Sequence, residues 1–496
     1  MTPGLLLLLP FFAAFPVFAA VWVSPRFSRA LAMAAAVAGF LAALGAGAQS
    51  LSAGVWPSEM GGWAAPWGVE IRLSPFACFW TALLYLSTVL KLLTDKPASS
   101  SSDYFDAALL LLTGSLAALA LDKDLFDFYL WVELALVAGG LLIVREGPGY
   151  LWMAFRFVFW GSVGASFLLL GLIYLYSGTS TLDLDDLLSQ LLIDKNEDLI
   201  GFGGFFVTLG LALPLMFPGS RLFAPFLSRL SPGLMAFLGP LLARAAALLL
   251  FEIYFSGLGA PGFQPPLWLK ALEQIAAVFF LADFWFARRQ KNWEPVTGFL
   301  SAASLGYLLA GFILGSTPAL QGALLELVSQ VLALTGLFYL SVWLKEAAGT
   351  DELARFSGAA RRAPWTAAAF LLLGLNLVGL PPFGGFYGKY YLFEAALQQR
   401  QWFLSLALLG AYGFSLFYLG KAAWKLFTRE EGDPQAVSIK KAPKRVTAVL
   451  WVLALAGLAL GFWHKTLLRD IITPALPKAF QHWTPPVENW NSQDVE

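Results

Sequence analysis

The 496-residue sequence is poor in the side chains that soluble enzymes use for chemistry. Cys78 is its only cysteine, and one thiol cannot close an internal disulfide, hold an iron–sulfur cluster or build a thiolate zinc site. Its two histidines, His464 and His482, lie near the C-terminus, far in sequence from any acidic cluster, so no metal or haem site is expected from this chain alone. Neither a phosphate-binding glycine loop nor a dinucleotide fingerprint is present, and no redox or hydrolytic centre can be read from it. Charged residues make up 13% of the chain, about half the ~25% of soluble globular proteins. The 32 basic and 32 acidic side chains cancel, which leaves no excess positive charge for nucleic acid.

What the sequence has instead is apolar surface, 58% of all positions. Runs long enough to cross a ~30 Å hydrocarbon core recur from one end to the other. They predict an all-α polytopic membrane protein of about 14 transmembrane helices. The spans are 4–23, 29–48, 73–90, 104–121, 125–144, 151–177, 199–218, 233–258, 267–287, 297–315, 318–344, 365–397, 402–426 and 446–464. No Lys or Arg precedes the long stretch Leu5–Val23, so it reads as a retained first span rather than a signal peptide. Loops with odd numbers carry 21 Lys and Arg residues, even loops and tails carry 8, and 3 lie within spans. Basic residues favour the cytoplasmic side, which places both termini outside. A bacterial inner membrane is the expected location.

The 3 basic residues within spans are Arg156, Arg244 and Lys389. Each costs at least about 2.5–3.5 kcal/mol at mid-membrane and therefore belongs against a polar interior. Acidic candidates for that interior are Glu133, Glu252, Asp283, Glu326 and Glu394, although those near helix ends can snorkel. Two spans contain helix breakers. Pro214 and Pro218 interrupt the seventh, and Gly379, Pro381, Pro382 and Gly385 interrupt the twelfth. The breaks are five spans apart, an odd spacing that inverts orientation. Two inverted five-helix repeats with broken helices 7 and 12 follow, the arrangement of an ion path. The segments are then 1–103, an N-terminal three-helix part; 104–258 and 259–430, the two repeats; and 431–496, the last helix with its loop and external tail.

Gly379-Leu380-Pro381-Pro382-Phe383-Gly384-Gly385-Phe386-Tyr387-Gly388-Lys389 resembles the GLPPxxGFxxK break of the antiporter-like membrane subunits. These subunits are shared by respiratory complex I, group 4 membrane hydrogenases and Mrp sodium/proton antiporters. The motif has the form seen in the N subunit of complex I and the D subunit of Mrp. Asp124 to Glu133 resembles the family's fifth helix, and Arg156 to Thr179 its sixth, with the turn at Tyr174–Thr179. The resemblance implies a cation-translocating subunit, moving protons or exchanging sodium for protons, in a complex such as NADH:quinone oxidoreductase or Mrp. Lys389 would take the twelfth-helix lysine, Glu133 the fifth-helix glutamate, and Arg244 a place within a residue of the eighth-helix lysine. Partners would be other membrane subunits, and a redox arm would hold any quinone, flavin or iron–sulfur centre.

The departures are specific. Leu199–Pro218 contains no Lys, Arg or His where the family's seventh helix carries a lysine, and Thr208 is its only hydroxyl. Glu326 and Gln330 stand where relatives often show a histidine and a lysine. Arginine at 244 keeps its charge at physiological pH. These changes predict an N-terminal half that holds Glu133 and Arg244 as a fixed charge pair. They also keep open a second class of function: a structural or coupling subunit, for example the membrane partner of an inorganic-carbon uptake complex. Arg156 reads as structural, neutralising Glu133 or another buried acid. The acidic run Leu182–Asp198 reads as a solvated outer loop.

The charge asymmetry generates a topology test. Reporter fusions after Arg445 and within 355–362 should read cytoplasmic, and a fusion after His482 external. A cytoplasmic reading at His482 would remove the inverted-repeat arithmetic.

Overall fold

The computed structural model describes residues 3–63, 68–95, 104–193, 197–216, 232–258, 290–348, 352, 357–428 and 443–481. Among these, 10 helices are long and apolar enough to cross a membrane, and Phe105–Leu121, Asp198–Ala212 and Pro364–Val378 are shorter apolar helices. The first helices are α1 (Pro3–Val23), α2 (Pro25–Ala53), α3 (Pro75–Thr94), α4 (Phe105–Leu121), α5 (Leu125–Val144) and α6 (Leu151–Thr179). Next come α7 (Leu184–Ile193), α8 (Glu197–Met216) and α9 (Pro232–Phe251). The remainder are α10 (Trp293–Leu314), α11 (Thr317–Ala348), α12 (Pro364–Val378), α13 (Gly384–Gln398), α14 (Trp402–Phe427) and α15 (Lys444–Phe462). Of the expected spans, 267–287 lies outside the described residues, as do Asp283 and Pro218.

Local chemistry sets many of the helix ends. Ser74 accepts from the Ala77 amide, Asp124 from Phe126 and Asp127, and Asp183 from Asp185 and Asp186, each satisfying amides that a first turn leaves open. Proline opens α2, α3 and α12, where its missing N–H costs nothing. Aromatic side chains point outward on α1, α6 and α14, including Phe15, Trp22, Trp152, Phe155, Trp402 and Trp424. That outer face suits lipid. At the centre stands α11, whose residues 322–341 are all buried. A helix covered on every side needs no amphipathic stripe.

Contacts between helix ends sort the connections into two groups. At one end Arg29, entering α2, meets Asp106 of α4 at 2.8 Å and the Leu92 and Asp95 carbonyls after α3. Thr94 and Tyr339 join there, which brings in the later part of α11. At the other end Lys123 pairs with Glu252 at 2.6 Å, Arg72 pairs with Asp185, and Thr317 donates to the Phe480 carbonyl at 2.6 Å. Burial pushes the Asp122 carboxyl in this second group up to about 7. Burial also pulls Asp185 upward, but the hydrogen bond and charge of Arg72 outweigh it and hold Asp185 below the usual carboxylate range.

Four expectations change. The acidic run is not simply a solvated loop: Leu184–Ile193 forms a helix whose Leu184 and Leu187 are buried. The loop after α2 contains a hairpin, Trp56–Glu59 against Glu70–Leu73. Lys91, counted as a loop residue, lies in the last turn of α3, buried and paired with Asp95 at 2.5 Å. Finally, α8 runs helically through Pro214 to Met216. Proline two residues from the described end removes one intrahelical bond and does not interrupt the helix.

The twelfth span is broken as its sequence indicates. α12 stops at Val378 and α13 starts at Gly384. Gly379 sits at φ +85°, a conformation that glycine adopts without a Cβ penalty. The Asn376 side chain accepts from the Gly385 amide at 3.2 Å and from Ser329 of α11 at 2.9 Å. Backbone freed by the break is thereby satisfied from within the protein, as hydrocarbon requires. α15 closes over the same place: a Cβ on Gly461 would fall 1.7 Å from the Pro382 carbonyl oxygen.

Candidate ion-translocation site

Lys389 is the sixth residue of α13, and the helix delivers it to α11. Gly388 makes this approach possible, because a Cβ there would lie 3.0 Å from the Glu326 backbone and side chain. A Cβ on Gly322 of α11 would likewise fall 2.8 Å from the Gly388 carbonyl oxygen. Small residues at such crossings let helix backbones touch. The result is an ion pair, Lys389 Nζ to Glu326 Oε1 at 2.5 Å, with Lys389 8% and Glu326 0% exposed. The ammonium also lies 4.8 Å from the Tyr307 ring centre. Such a cation over an aromatic face gains further stabilisation when desolvated.

The pair continues into a chain of hydrogen bonds. Gln330, one turn along α11, donates to Glu326 Oε1 at 3.0 Å and to the Ser304 carbonyl at 2.7 Å. Its carbonyl oxygen accepts from Arg244 Nε at 3.2 Å and Nη2 at 3.1 Å. Arg244 also donates to Ser301 Oγ at 2.8 Å, the Ser301 carbonyl at 2.9 Å and Ser304 Oγ at 2.5 Å. The guanidinium is wholly buried. Its fork-shaped donor set matches the acceptors that α10 and α11 present. Glu326 Oε2, in contrast, has no hydrogen-bond partner among the described residues. A buried, unpartnered carboxylate oxygen is costly in a purely structural pair and is a ready acceptor for a proton.

Lys389, Glu326 and Arg244 therefore come together. Glu133 and Arg156 lie on α5 and α6, outside this chain of hydrogen bonds. Glu133 is half-buried and accepts from Ser162 at a long 3.4 Å. Arg156 is half-buried with its guanidinium 5.3 Å from the Trp152 ring centre. The expected pair of Glu133 with Arg244 is not formed: Arg244 is committed to Gln330, Ser301 and Ser304. Motif position located Arg244, but the direction of its side chain on α9 decides the partner, and that direction is toward α10 and α11.

Gln330 is the link between the charges, and Ser301, Ser304, Ser329 and Asn376 had no individual signal in the sequence. The hydroxyls of Thr297, Ser301 and Ser304, at steps of four and three along α10, are the only trace of the two serines there, and such residues are common in membrane helices. His464 is another addition. It is buried past the end of α15, donates from Nδ1 to the Gly461 carbonyl at 2.7 Å and stacks on Tyr387 with centroids 3.4 Å apart. Glu252 is held by Lys123, and Ser256 donates to it at 3.1 Å. Among the described residues no three His, Cys, Asp or Glu side chains gather into a metal-ligand set.

Comparison with known proteins agrees with this architecture. The model of a family described as NADH:quinone oxidoreductase/Mrp antiporter, transmembrane, matches residues 122–415. A NADH-quinone oxidoreductase subunit N from Desulforudis audaxviator is 27% identical over 497 residues, covering 96% of this chain and 98% of its own length. The D subunit of a Na(+)/H(+) antiporter from Bacillus subtilis is 28% identical, covering 72% of this chain and 73% of its own. In a solved Mrp complex from Dietzia sp. DQ12-45-1b, one chain superposes with a TM-score of 0.85 at 19% identity, over 97% of this chain and 99% of that one.

The geometry predicts which charges are coupled. In a double-mutant cycle, Lys389→Ala and Glu326→Gln should be strongly non-additive in thermal stability of the purified protein, by at least about 1 kcal/mol for groups in contact. Glu133→Gln and Arg244→Gln should add to within about 0.5 kcal/mol. Rescue of one by the other would restore the Glu133–Arg244 pair.

Proposed function

The chain belongs to the NADH:quinone oxidoreductase/Mrp antiporter transmembrane family, and we propose that it translocates protons through its C-terminal half, driven by partner subunits of a membrane complex. The observation that carries this reading is the Lys389–Glu326 pair, set one turn beyond a broken helix. Lysine is a proton carrier when a change in its surroundings can tip the balance between charged and neutral forms. Moving the proton from Nζ to the carboxylate would turn two opposite charges into two neutral groups within one hydrogen bond. Releasing it onward from Glu326 Oε2 leaves a neutral Lys389 beside the carboxylate, and uptake of a second proton by Nζ then resets the pair. Transfer within the pair leaves its net charge unchanged, and the one uncompensated charge lasts only from release to uptake, so the two steps favour close coupling.

The relatives named as an oxidoreductase subunit N and as the D subunit of an antiporter support membership in a multisubunit complex, with other membrane subunits and any redox centres supplied by partners. Inverted repeats over 104–258 and 259–430 are part of the proposal, supported by the broken twelfth span and by helix ends that sort into two groups. A bacterial inner membrane with both termini external fits the loop charges. Proton rather than sodium is the reading of choice, because the site offers an ammonium and hydrogen-bond donors, which repel a bare metal cation.

A second reading concerns the N-terminal half. α8 has no titratable side chain from Leu199 onward, and Arg244 is bound into the C-terminal cluster. That observation favours a non-conducting N-terminal half that positions and couples, and in the limit a chain that energises or scaffolds a partner such as an inorganic-carbon uptake protein.

The test is driven proton translocation by the assembled complex in sealed vesicles, normalised to its abundance. Lys389→Ala should abolish it with assembly retained, and Lys389→Arg should be nearly as damaging, since arginine keeps the charge and cannot cycle it. Unchanged pumping in both variants would make Lys389 structural and favour the second reading.

A further inference from the structure

The proton site lies on a longer buried polar line than the proposed reaction needs. On α10, Glu294, Thr297, Ser301 and Ser304 follow one another at steps of three, four and three residues, so they share one face of the helix. Their exposures are 3%, 0%, 0% and 5%. On α11, Ser341 is three turns from Gln330 on the same face, is 0% exposed, and its Oγ has no hydrogen-bond partner among the described residues. The two helices are aligned at this level by the Trp293 indole, which donates to the Leu337 carbonyl at 3.1 Å. This end of α11 is the one that meets Thr94, in the group of helix ends around Arg29 and Asp106. A seam of hydroxyls and one carboxyl thus runs from that end of the protein, between α10 and α11, to Ser304 and Gln330, and from there to Glu326 and Lys389.

Arg244 sits across this seam. Its Nη1 and Nη2 take Ser301 and Ser304, and its Nε and Nη2 take Gln330, so the guanidinium occupies the step between the two stretches. Resting on the reading of Lys389 and Glu326 as the proton site, we propose that Arg244 is an electrostatic stopper. It closes the α10–α11 seam to protons and prevents Lys389 and Glu326 from equilibrating with the Glu294 end. A fixed guanidinium in a narrow polar passage excludes protons and cations by charge while its donors orient the lining groups. A translocating site needs such a barrier, because a pair open to both sides at once dissipates the gradient it works against. Arginine suits the task where lysine would not: it holds its charge, and its planar fork engages both helices together. Bonds on two walls also keep the residue from swinging aside.

The stopper makes a prediction about passive flux, separate from driven pumping. The full chain, purified with its accompanying subunits, is reconstituted into sealed liposomes containing a pH-sensitive dye. Proton influx is then followed under an imposed potassium diffusion potential with no energy source. Arg244→Gln should raise passive influx roughly tenfold or more, the factor given by about 1.4 kcal/mol off a barrier. Arg244→Lys, which keeps charge and donors and so protects assembly, should give a smaller rise because lysine can release its proton. Adding Thr297→Val to either variant should return influx toward the wild-type rate, because it removes a hydroxyl from the seam. Wild-type influx in assembled Arg244→Gln and Arg244→Lys would overturn the proposal, and so would a leak that Thr297→Val leaves intact. If Arg244 variants do not leak while Lys389→Ala abolishes driven pumping, the stopper fails and the proton site stands. Leaking Arg244 variants with normal pumping in Lys389→Ala would give the reverse.

Discussion

Three charges in a medium that cannot solvate them set the terms for the C-terminal half. Lys389, Glu326 and Arg244 are each less than a tenth exposed, and together they carry one positive charge more than they balance. An isolated charge at that depth is costly, and a buried pair repays desolvation only when the remaining donors and acceptors are met. The surrounding architecture meets them. Gln330 takes up the interval between carboxylate and guanidinium, Ser301 and Ser304 absorb the spare arginine donors, and the Tyr307 ring covers the ammonium. The Glu326 oxygen without a partner among the described residues is the exception, and on the proposed function it is the acceptor that a moving proton needs.

Meeting those terms dictates unusual backbone. Side chains as short as glutamate and serine can reach one another only if helices nearly touch, so α13 and α11 meet through Gly388 and Gly322. After the break at Gly379–Phe383 a new helix starts, and Lys389 lies in its second turn. Asn376, held in place by Ser329, then accepts from the Gly385 amide that the break frees, and α15 seals it with Gly457 and Gly461 against Asn376 and Pro382. Here the proposed function and the fold share the same residues.

Much of this was legible in the sequence because membrane burial writes a coarse signal. Thirteen of the expected spans correspond to described helices, and the 125–144 span matches its helix at both ends. The break at Gly379–Gly385 and the placement of Lys389 and Glu326 were equally readable. Side-chain direction was not. Arg244 was located by its motif and given the wrong partner, since an α-helix with polar groups on several sides does not reveal which neighbour each will face. Lys91 was hidden because the expected third span stops at residue 90, whereas its ammonium is buried against Asp95 and lies 5.2 Å from the centre of the Phe105 ring. α7 was obscured by its acids, which cap and solvate one face while Leu184 and Leu187 bury the other. The α10 hydroxyls were visible but uninformative until Arg244 was seen to join them.

On the proposed reading, a subunit that keeps the family's architecture while linking Lys389, Glu326 and Arg244 in one buried network rests its chemistry on a single exchange between Lys389 and Glu326. The most direct measurement is infrared difference spectroscopy of the assembled complex between resting and energised states, read at the stretch of a protonated, buried carboxyl group. A carboxyl band should appear or disappear on energisation and be absent in Glu326→Gln, with Glu133→Gln unchanged. A difference spectrum that keeps the same carboxyl band in Glu326→Gln would contradict proton exchange at this pair.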